Sequence, residues 1–166
     1  MTIRFIKEGD WNSLIRIWKD FNASAHAHYD VPHSTDRNEV REKARQWEMV
    51  SPDREHMFFA VCLGNEMIGY CDFHRTQDGY ECGYCFHSSY HRMGYARESL
   101  QALMRWISGG QNTRFTAGTA VKNIPSVKLL ESLGFKKIGE EPISFYKAEN
   151  GEDIYFTGAR FVIDTK

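Results

Sequence analysis

The 166-residue chain has almost no net charge, few cysteines and prolines, and no long apolar run. Its formal net charge of -1 argues against a dedicated nucleic-acid-binding protein, because such proteins normally carry a basic excess. No stretch approaches the ~18 uninterrupted apolar residues of a membrane span. Residues 1–11 contain no apolar run of the length that a signal peptide needs. These absences predict a cytoplasmic protein with no membrane segment and no nucleic-acid partner.

The four cysteines are Cys62, Cys71, Cys82 and Cys85, and all of them fall in predicted strands. Without a secretory signal we expect them to be reduced thiols. Cys82 and Cys85 have the C-x-x-C spacing that is often found in zinc and redox sites. On a strand, however, positions i and i+3 face opposite sides of the sheet. We therefore predict that these cysteines pack in the core and that the protein has no metal site.

Composition and periodicity predict one α/β domain over residues 1–166, with a mixed sheet. The chain is 42% hydrophobic and 26% charged, which is typical of a globular protein with a real core. The predicted element order is β-α-α-β-β-β-α-β-α-β-β, without a linker or repeat. The predicted elements are a strand at 2–7, helices at 11–22 and 37–49, three strands between 56 and 87, a helix at 95–108, a strand at 114–121, a short helix after Asn123, and two strands around 150–151. Asp36 and Glu39 resemble a capping box before the second helix.

Residues 87–100, HSSYHRMGYARESL, begin a helix without Ser, Thr, Asp or Asn at the expected cap. The first amides of a helix have no helical partner, and the helix dipole adds partial positive charge there. Gly94 allows a ligand to approach the backbone, Ala96 keeps the next step small, and His91 and Arg92 add positive charge. These features favour a phosphate-binding helix start. The alternative is an ordinary helix whose glycine only makes a turn.

Two motifs carry a family resemblance. Residues 91–96, HRMGYA, resemble the Q/R-x-x-G-x-G/A cofactor signature of the GCN5-related N-acetyltransferase (GNAT) superfamily, with His91 at the first position instead of Gln or Arg. Residues 123–135, NIPSVKLLESLGF, resemble the N-x-x-S-x-x-L-x-E-x-x-G-F helix of the same superfamily. The motifs occur in the expected order, one strand apart. The E-x-G-Y strand and the serine of the second motif most resemble the ribosomal-protein N-terminal acetyltransferase branch, which also includes enzymes with other acceptors.

The resemblance implies a GNAT-like fold, with a mostly antiparallel sheet flanked by helices and two central parallel strands, 80–86 and 114–119, that splay apart. Acetyl-CoA, as cosubstrate, would lie between these strands. Backbone groups near 85–87 would pair with its pantetheine arm, amides at 92–97 would hold its pyrophosphate, and Asn123 would anchor the pantetheine or the adjacent backbone. The residues expected to bind the cofactor are Cys85, Phe86, His87, His91, Arg92, Met93, Gly94, Tyr95, Ala96, Arg97 and Asn123.

The implied reaction is acetyl transfer to a primary amine, of a protein N-terminus or a small molecule, by direct attack on the thioester. Attack needs a neutral amine, and at pH 7 about 14% of an α-amine but only about 0.04% of a lysine amine is neutral. The resemblance makes Glu81 the expected base, directly or through water. The alternative is a solvated strand glutamate. His74 is a second candidate base, or simply a polar residue at a strand end.

The leaving thiolate needs a proton donor. Many relatives use a tyrosine seven residues after the motif asparagine, but this chain has Leu130 there. Ser126 matches the donor of the N-terminal acetyltransferase branch, although it also fits a plain first-turn residue. The missing tyrosine leaves a second function open, a catalytically inactive CoA-binding regulatory protein.

The expected partners are acetyl-CoA and an amine acceptor, and the acceptor itself has no motif. We expect it to contact the loops at 23–36, 74–79 and 141–152. The histidines of the first loop, at positions 26, 28 and 33, have no spacing typical of a metal site. The sequence leaves the oligomeric state open, with a homodimer as one alternative.

Overall fold

The computed structural model describes residues 1–165, and Lys166, the last residue of the predicted domain, lies outside the described residues. The strands are β1 (Thr2–Phe5), β2 (His56–Leu63), β3 (Glu66–Arg75), β4 (Gly79–Phe86), β5 (Thr113–Ala120), β6 (Lys136–Lys147) and β7 (Asp153–Thr165). The helices are α1 (Trp11–Asn22), α2 (Arg37–Val50), α3 (Tyr95–Ser108) and α4 (Ile124–Ser132). The predicted order of strands and α-helices is confirmed. No helix in residues 1–165 combines the length and hydropathy that crossing a membrane requires.

The seven strands form one mixed sheet in the order β1-β2-β3-β4-β5-β7-β6. All neighbours are antiparallel except β4 and β5, which run parallel. These two strands pair only over 79–81 and 114–116, and beyond those positions they separate. The predicted splay of two central parallel strands is therefore confirmed. The sequence did not predict that the last strand, β7, inserts between β5 and β6.

Each face of the sheet buries its own apolar cluster. One cluster contains Phe73 and Phe115 and packs beneath α3 and α4. The other contains Trp18 and packs beneath α1 and α2. Cys82 belongs to the first cluster, whereas Cys85 packs against the second. The prediction that the C-x-x-C cysteines face opposite sides is confirmed, and burial raises the pKa of the Cys85 thiol to about 12.

The start of α2 corrects one sequence expectation. The Asp36 carboxylate accepts hydrogen bonds from the Asn38 and Glu39 amides, at 2.9 and 3.0 Å. The Glu39 carboxylate does not complete a capping box, because it bonds to the Ser34 hydroxyl instead. The Asp36 amide also donates to Ser34 Oγ, at 3.2 Å. One bond of the box is therefore present, whereas Ser34 binds both partners of the other bond, so the sequence expectation was half right.

Candidate active site

A cavity of about 450 Å³ opens where β4 and β5 separate. Glu81 and Tyr84 line it from β4, and Asn123 and Ser126 line it from the start of α4. Residues from the loop between α1 and α2 and from the β6–β7 hairpin line the remaining sides. The splay thus brings both predicted catalytic residues, Glu81 and Ser126, to one cavity, although they lie 45 positions apart in the sequence.

The start of α3 leaves its backbone amides free. Gly94 is the cap residue, with φ of 85° and no capping side chain. The first helical hydrogen bond runs from the Glu98 amide to the Gly94 carbonyl, at 2.9 Å. Within residues 1–165, no acceptor bonds to the amides of 92–97. A Cβ at Gly94 would meet nothing within 4 Å, so the space before the helix is open. This geometry fits the pyrophosphate of a CoA molecule.

The turn before α3 is held by side chains. The Ser88 amide and hydroxyl donate to the Asp20 carboxylate at 2.7 and 2.6 Å. Burial alone would raise the pKa of Asp20, but these hydrogen bonds outweigh it and lower the pKa below its usual value. His91 Nε2 donates to the Phe86 carbonyl oxygen at 2.8 Å. His91, which the sequence associated only with added charge, therefore also bridges the end of β4 to this turn. Arg92 next to it has a left-handed φ of 62°.

The edge of β4 that faces the splay carries different backbone groups from those the sequence suggested. The His87 amide donates to the Ile68 carbonyl oxygen of β3 at 3.0 Å. Backbone groups alternate between the two edges of a strand, so Cys85 and His87 both face β3. Phe86 and Tyr84 face the side where β5 has moved away. Of the predicted segment 85–87, Phe86 is the residue whose backbone faces the opening. Tyr84 was missed.

Four further cofactor-motif residues lie in or just before the first turn of α3. The Met93 side chain is 61% exposed, whereas Tyr95 and Ala96 pack against the core cluster beneath α3. The Arg97 guanidinium donates to the Ser132 carbonyl oxygen at the end of α4, at 3.4 Å. In this structure Tyr95 and Ala96 anchor the helix start, while Arg97 links α3 to α4.

The first turn of α4 and the strand β4 each present one hydroxyl group to the cavity, and the two groups form a pair. The Asn123 side-chain oxygen caps the helix by accepting from the Ser126 amide, at 3.4 Å. Ser126 Oγ lies 2.7 Å from the Tyr84 hydroxyl oxygen. Burial raises the pKa of Tyr84, although the Ser126 contact partly opposes this. Leu130, which occupies the usual tyrosine position, is fully buried in the core. The sequence signal for Tyr84 was the E-x-G-Y pattern, which ends at this residue.

A carboxylate and two histidines form a second cluster at the cavity, on β2 and β3. His74 Nε2 lies 3.0 Å from Asp72 Oδ1, and His74 Nδ1 lies 3.0 Å from His56 Nδ1. The hydrogen bond to Asp72 raises the pKa of His74 above its usual value. Glu81 is directly opposite His74 in the β3–β4 register. Gly83 makes room for Asp72, because a Cβ at Gly83 would lie 2.6 Å from Asp72 Oδ1. No pattern in the sequence identified Asp72 as a residue of the site.

The loop between α1 and α2 covers one side of the cavity. The Tyr146 hydroxyl of β6 donates to the Ala27 carbonyl oxygen at 3.2 Å and ties this loop to the hairpin. His26 lines the cavity. His33 instead stacks on Trp18, with ring centroids 5.1 Å apart. His26 and His33 therefore lie in different places, and within residues 1–165 no group of three His, Cys, Asp or Glu side chains is arranged to hold a metal ion.

The lining of the cavity is acidic and aromatic. Its carboxylates are Asp30, Asp72 and Glu81, and no lysine or arginine within the described residues lines it. The phenylalanine and tyrosine rings of the lining belong to Phe21, Tyr29, Tyr84, Phe145 and Phe156. Such a surface attracts a cation and repels an anion.

A mixed sheet that splays beside a helix start with free amides is the geometry expected of a CoA-dependent acyltransferase. The chain belongs to the acetyltransferase (GNAT) domain family, whose model matches residues 1–136. It is an N-acetyltransferase, and acetyl-CoA is its cosubstrate. The predicted family, fold class, type of enzyme and cosubstrate are thereby confirmed.

Relatives share this fold at low sequence identity. An uncharacterized N-acetyltransferase p20 from Bacillus licheniformis is 26% identical over 149 residues, which are 84% of this chain and 80% of the relative. The structure of RimL, a ribosomal L7/L12 alpha-N-protein acetyltransferase in complex with coenzyme A, superimposes with a TM-score of 0.81 at 21% identity, covering 98% of this chain and 92% of RimL. A mutant of the spermidine N-acetyltransferase SpeG from Vibrio cholerae gives a TM-score of 0.73 at 18% identity, covering 99% and 95%.

Proposed function

We propose that the enzyme transfers the acetyl group of acetyl-CoA to a primary amine of a small acceptor that carries more than one positive charge. The observation that carries this proposal is the acidic, aromatic-lined cavity at the splay of β4 and β5. Protein N-terminal amines are the acceptors named for RimL, and spermidine is the acceptor named for SpeG. The cavity chemistry favours an acceptor of the second kind.

Charge and size support a small cationic acceptor. Asp30, Asp72 and Glu81 offer three carboxylates around about 450 Å³, a volume that suits a small molecule. One carboxylate 4 Å from an ammonium group contributes about 4 kcal/mol of attraction at an effective dielectric constant of 20. The aromatic rings of the lining can cover methylene groups and contact cations through their faces. A second ammonium group of the acceptor, away from the reacting amine, would bind one of the carboxylates that do not take part in the reaction.

The chain's own residues would divide the work of catalysis. Bound acetyl-CoA supplies an activated acetyl thioester. The amides of 92–97 would hold the pyrophosphate, and the Phe86 backbone and Asn123 would position the pantetheine arm. Glu81 would accept the proton of the attacking ammonium group, directly or through water. Ser126 would donate its hydroxyl proton toward the leaving sulfur.

The proposed step is balanced within the site. The acceptor nitrogen forms a bond to the acetyl carbon as the carbon–sulfur bond breaks. The ammonium group gives one proton to Glu81 before the attack, and the nitrogen loses a second proton as the amide forms. This second proton replaces the one that Ser126 gives to the sulfur, so the sulfur leaves as a thiol and Ser126 ends as a hydroxyl group. Positioning of the amine against the thioester would contribute much of the rate enhancement.

We also propose that residues 1–166 act as one catalytic domain and that the enzyme works in the cytoplasm. Free cysteines at four positions support a reducing compartment. The near-zero net charge supports the exclusion of nucleic acid as a partner.

Thiol release from acetyl-CoA tests the proposal. The acceptor panel compares spermidine, spermine, a monoamine of similar length and a peptide with a free N-terminus. We expect the highest kcat/KM with the polyamines and a loss of at least tenfold with the monoamine. A preference for the peptide would overturn the acceptor class. Tight CoA binding by calorimetry without turnover of any acceptor would instead indicate a CoA-binding regulatory protein.

A further inference from the structure

Ser126 differs from four other helical serines in how its hydroxyl group is used. Four serines in or at the end of helices donate their hydroxyl proton to a carbonyl oxygen of the same helix, namely Ser51, Ser99, Ser108 and Ser132. Ser126 lies in the first turn of α4, so the carbonyl groups three and four residues earlier precede the helix. Within residues 1–165, its Oγ contacts only the Tyr84 hydroxyl group. The helix backbone therefore does not take the Ser126 proton.

The contact with Tyr84 depends on the splay of the sheet. The Tyr84 side chain packs against the same cluster as its strand neighbour Cys82, on the face that α3 and α4 cover. Tyr84 lies beyond Glu81 and Thr116, the last residues that pair β4 with β5, so the two strands have already separated there. Because β5 no longer lies beside β4 here, the Tyr84 side chain can extend to the first turn of α4. Its hydroxyl oxygen ends 2.7 Å from Ser126 Oγ, at the cavity wall.

We propose that Tyr84 is a positioning residue for the transfer reaction. Its phenol group donates a hydrogen bond to Ser126 Oγ and so directs the Ser126 hydroxyl proton into the cavity, toward the departing sulfur. This inference rests on the proposed function of the same cavity. A phenol is the more acidic of the two hydroxyl groups and hence the better donor. Asn123 holds the backbone of the serine by accepting its amide proton. The serine is thus held by its amide and by its oxygen, and its own proton is the free one.

The pair replaces a donor that the chain lacks. Leu130 is fully buried at the position where many relatives carry a tyrosine on α4. Here the tyrosine hydroxyl comes from β4 and acts through a serine. In the step, the sulfur gains the Ser126 proton, and the serine oxygen takes the second proton that the nitrogen loses as the amide forms. Ser126 Oγ keeps its hydrogen bond from Tyr84 throughout. Burial keeps the pKa of Tyr84 above its usual value, so the phenol stays protonated and able to donate throughout the neutral range.

A double-mutant cycle tests this arrangement. Tyr84→Phe should lower kcat about tenfold, the effect of about one lost hydrogen bond, while the Kd for CoA stays within twofold. Ser126→Ala should lower kcat at least as much. In the Ser126→Ala background, Tyr84→Phe should have no further effect, because the tyrosine acts only through the serine. The matched control is Tyr80→Phe on the same strand, whose hydroxyl group contacts Arg75 and should not affect kcat.

Three outcomes would overturn the proposal. They are an unchanged or higher kcat in Tyr84→Phe, an additive loss in the double variant, or a tenfold rise in the Kd for CoA. A thermal melt of each variant separates a loss of folding from a loss of rate. A purely structural tyrosine would lower Tm or CoA affinity and would leave kcat of the folded enzyme unchanged.

A second measurement separates this inference from the acceptor proposal. The slow hydrolysis of acetyl-CoA without amine expels the same sulfur, so the Tyr84→Phe loss should appear there too, even if no amine in the panel is an acceptor. Labelled tyrosine observed by NMR tests the contact itself. The Tyr84 Cζ resonance should move in Ser126→Ala and stay in place in Ser132→Ala. A resonance that does not move in Ser126→Ala would refute the pair.

Discussion

At the scale of single residues, the cavity gathers groups whose roles depend on their neighbours. Glu81 is exposed on β4, opposite His74, which is held by Asp72 on one ring nitrogen and approached by His56 on the other. Both nitrogens of His74 are therefore engaged, whereas the carboxylate of Glu81 makes no hydrogen bond within residues 1–165. A base needs a free site that can take a proton. This difference favours Glu81 over His74 as the base.

Glu81→Gln should lower kcat by about 10²-fold or more, because the amide cannot accept a proton from the ammonium group. The loss should be largest for acceptors with high amine pKa values, which are almost fully protonated at neutral pH. Steady-state rates across amines of different pKa check this. The control is Glu140→Gln, which is exposed on β6 outside the loops expected to contact the acceptor and should not affect the rate. An equal loss for all amines would argue for a charge effect instead.

Asp72→Asn should lower the pKa of His74, since the hydrogen bond from the imidazolium group to Asp72 is the main cause that raises it. The raised pKa makes protonated His74 stabilising. This contribution is fully present below the unfolded pKa of about 6.5 and is lost as pH rises through the folded value. The difference in unfolding free energy between wild type and Asp72→Asn should therefore shrink on going from pH 5.5 to pH 8.5. NMR titration of His74 measures the shift directly, and a His74 pKa unchanged by the substitution would contradict it.

At the scale of elements, the start of α3 and the start of α4 are built differently. Asn123 caps α4 with its side chain, whereas Gly94 caps α3 without one. Asn123 thus satisfies the Ser126 amide in the first turn of α4, whereas the first amides of α3 are left free. A helix start with free amides in open space is a site for an anion.

Gly94→Glu should abolish CoA binding, because the new side chain would enter the space before α3 and place a negative charge against the pyrophosphate. The matched control is Gly151→Glu in the β6–β7 turn. Both glycines have φ of 85° and open space around a Cβ, so both variants carry the same backbone strain and charge. Calorimetric titration with CoA should show no binding for the first variant and wild-type affinity for the second. Wild-type affinity in both would remove the proposed cradle.

At the scale of the whole molecule, the C-terminal hairpin completes the sheet. β7 pairs with every residue of β5, from Thr113 to Ala120, and lies between β5 and β6 in the sheet. Phe161 of β7 is 1% exposed in the main core cluster. The strand that arrives last in the chain is therefore central, and β5 would be an unpaired edge without it.

A chain that ends at residue 136 should fail to fold cooperatively, although the family model matches all of it. The cause is the loss of β7, which exposes one edge of β5 and part of the core. Phe161→Ala in the full chain should lower the free energy of unfolding by about 3–5 kcal/mol. Tyr155→Ala on the same strand, where the side chain is 63% exposed, should cost less than 1 kcal/mol, roughly, as a surface substitution. Urea unfolding measures both, and similar losses would contradict a central role for β7.

The sequence by itself determined the elements and the family, and it predicted the cofactor segment. These depend on local patterns: helical and strand periodicities, glycine at the start of α3, and two motifs in order. His91 illustrates what local patterns do not predict. Its charge suggested a contact with a ligand, but its ring also hydrogen-bonds to the Phe86 carbonyl oxygen. The E-x-G-Y pattern contained Tyr84 but did not identify its partner.

Only the tertiary structure decided which residues share the cavity. Asp72 reaches it because Gly83 on the neighbouring strand has no side chain, and Tyr84 reaches Ser126 because β4 has left β5. The insertion of β7 beside β5 likewise depends on pairing between distant segments. These contacts are set by strand order and register, which link residues far apart in the chain and leave no local signal in the sequence.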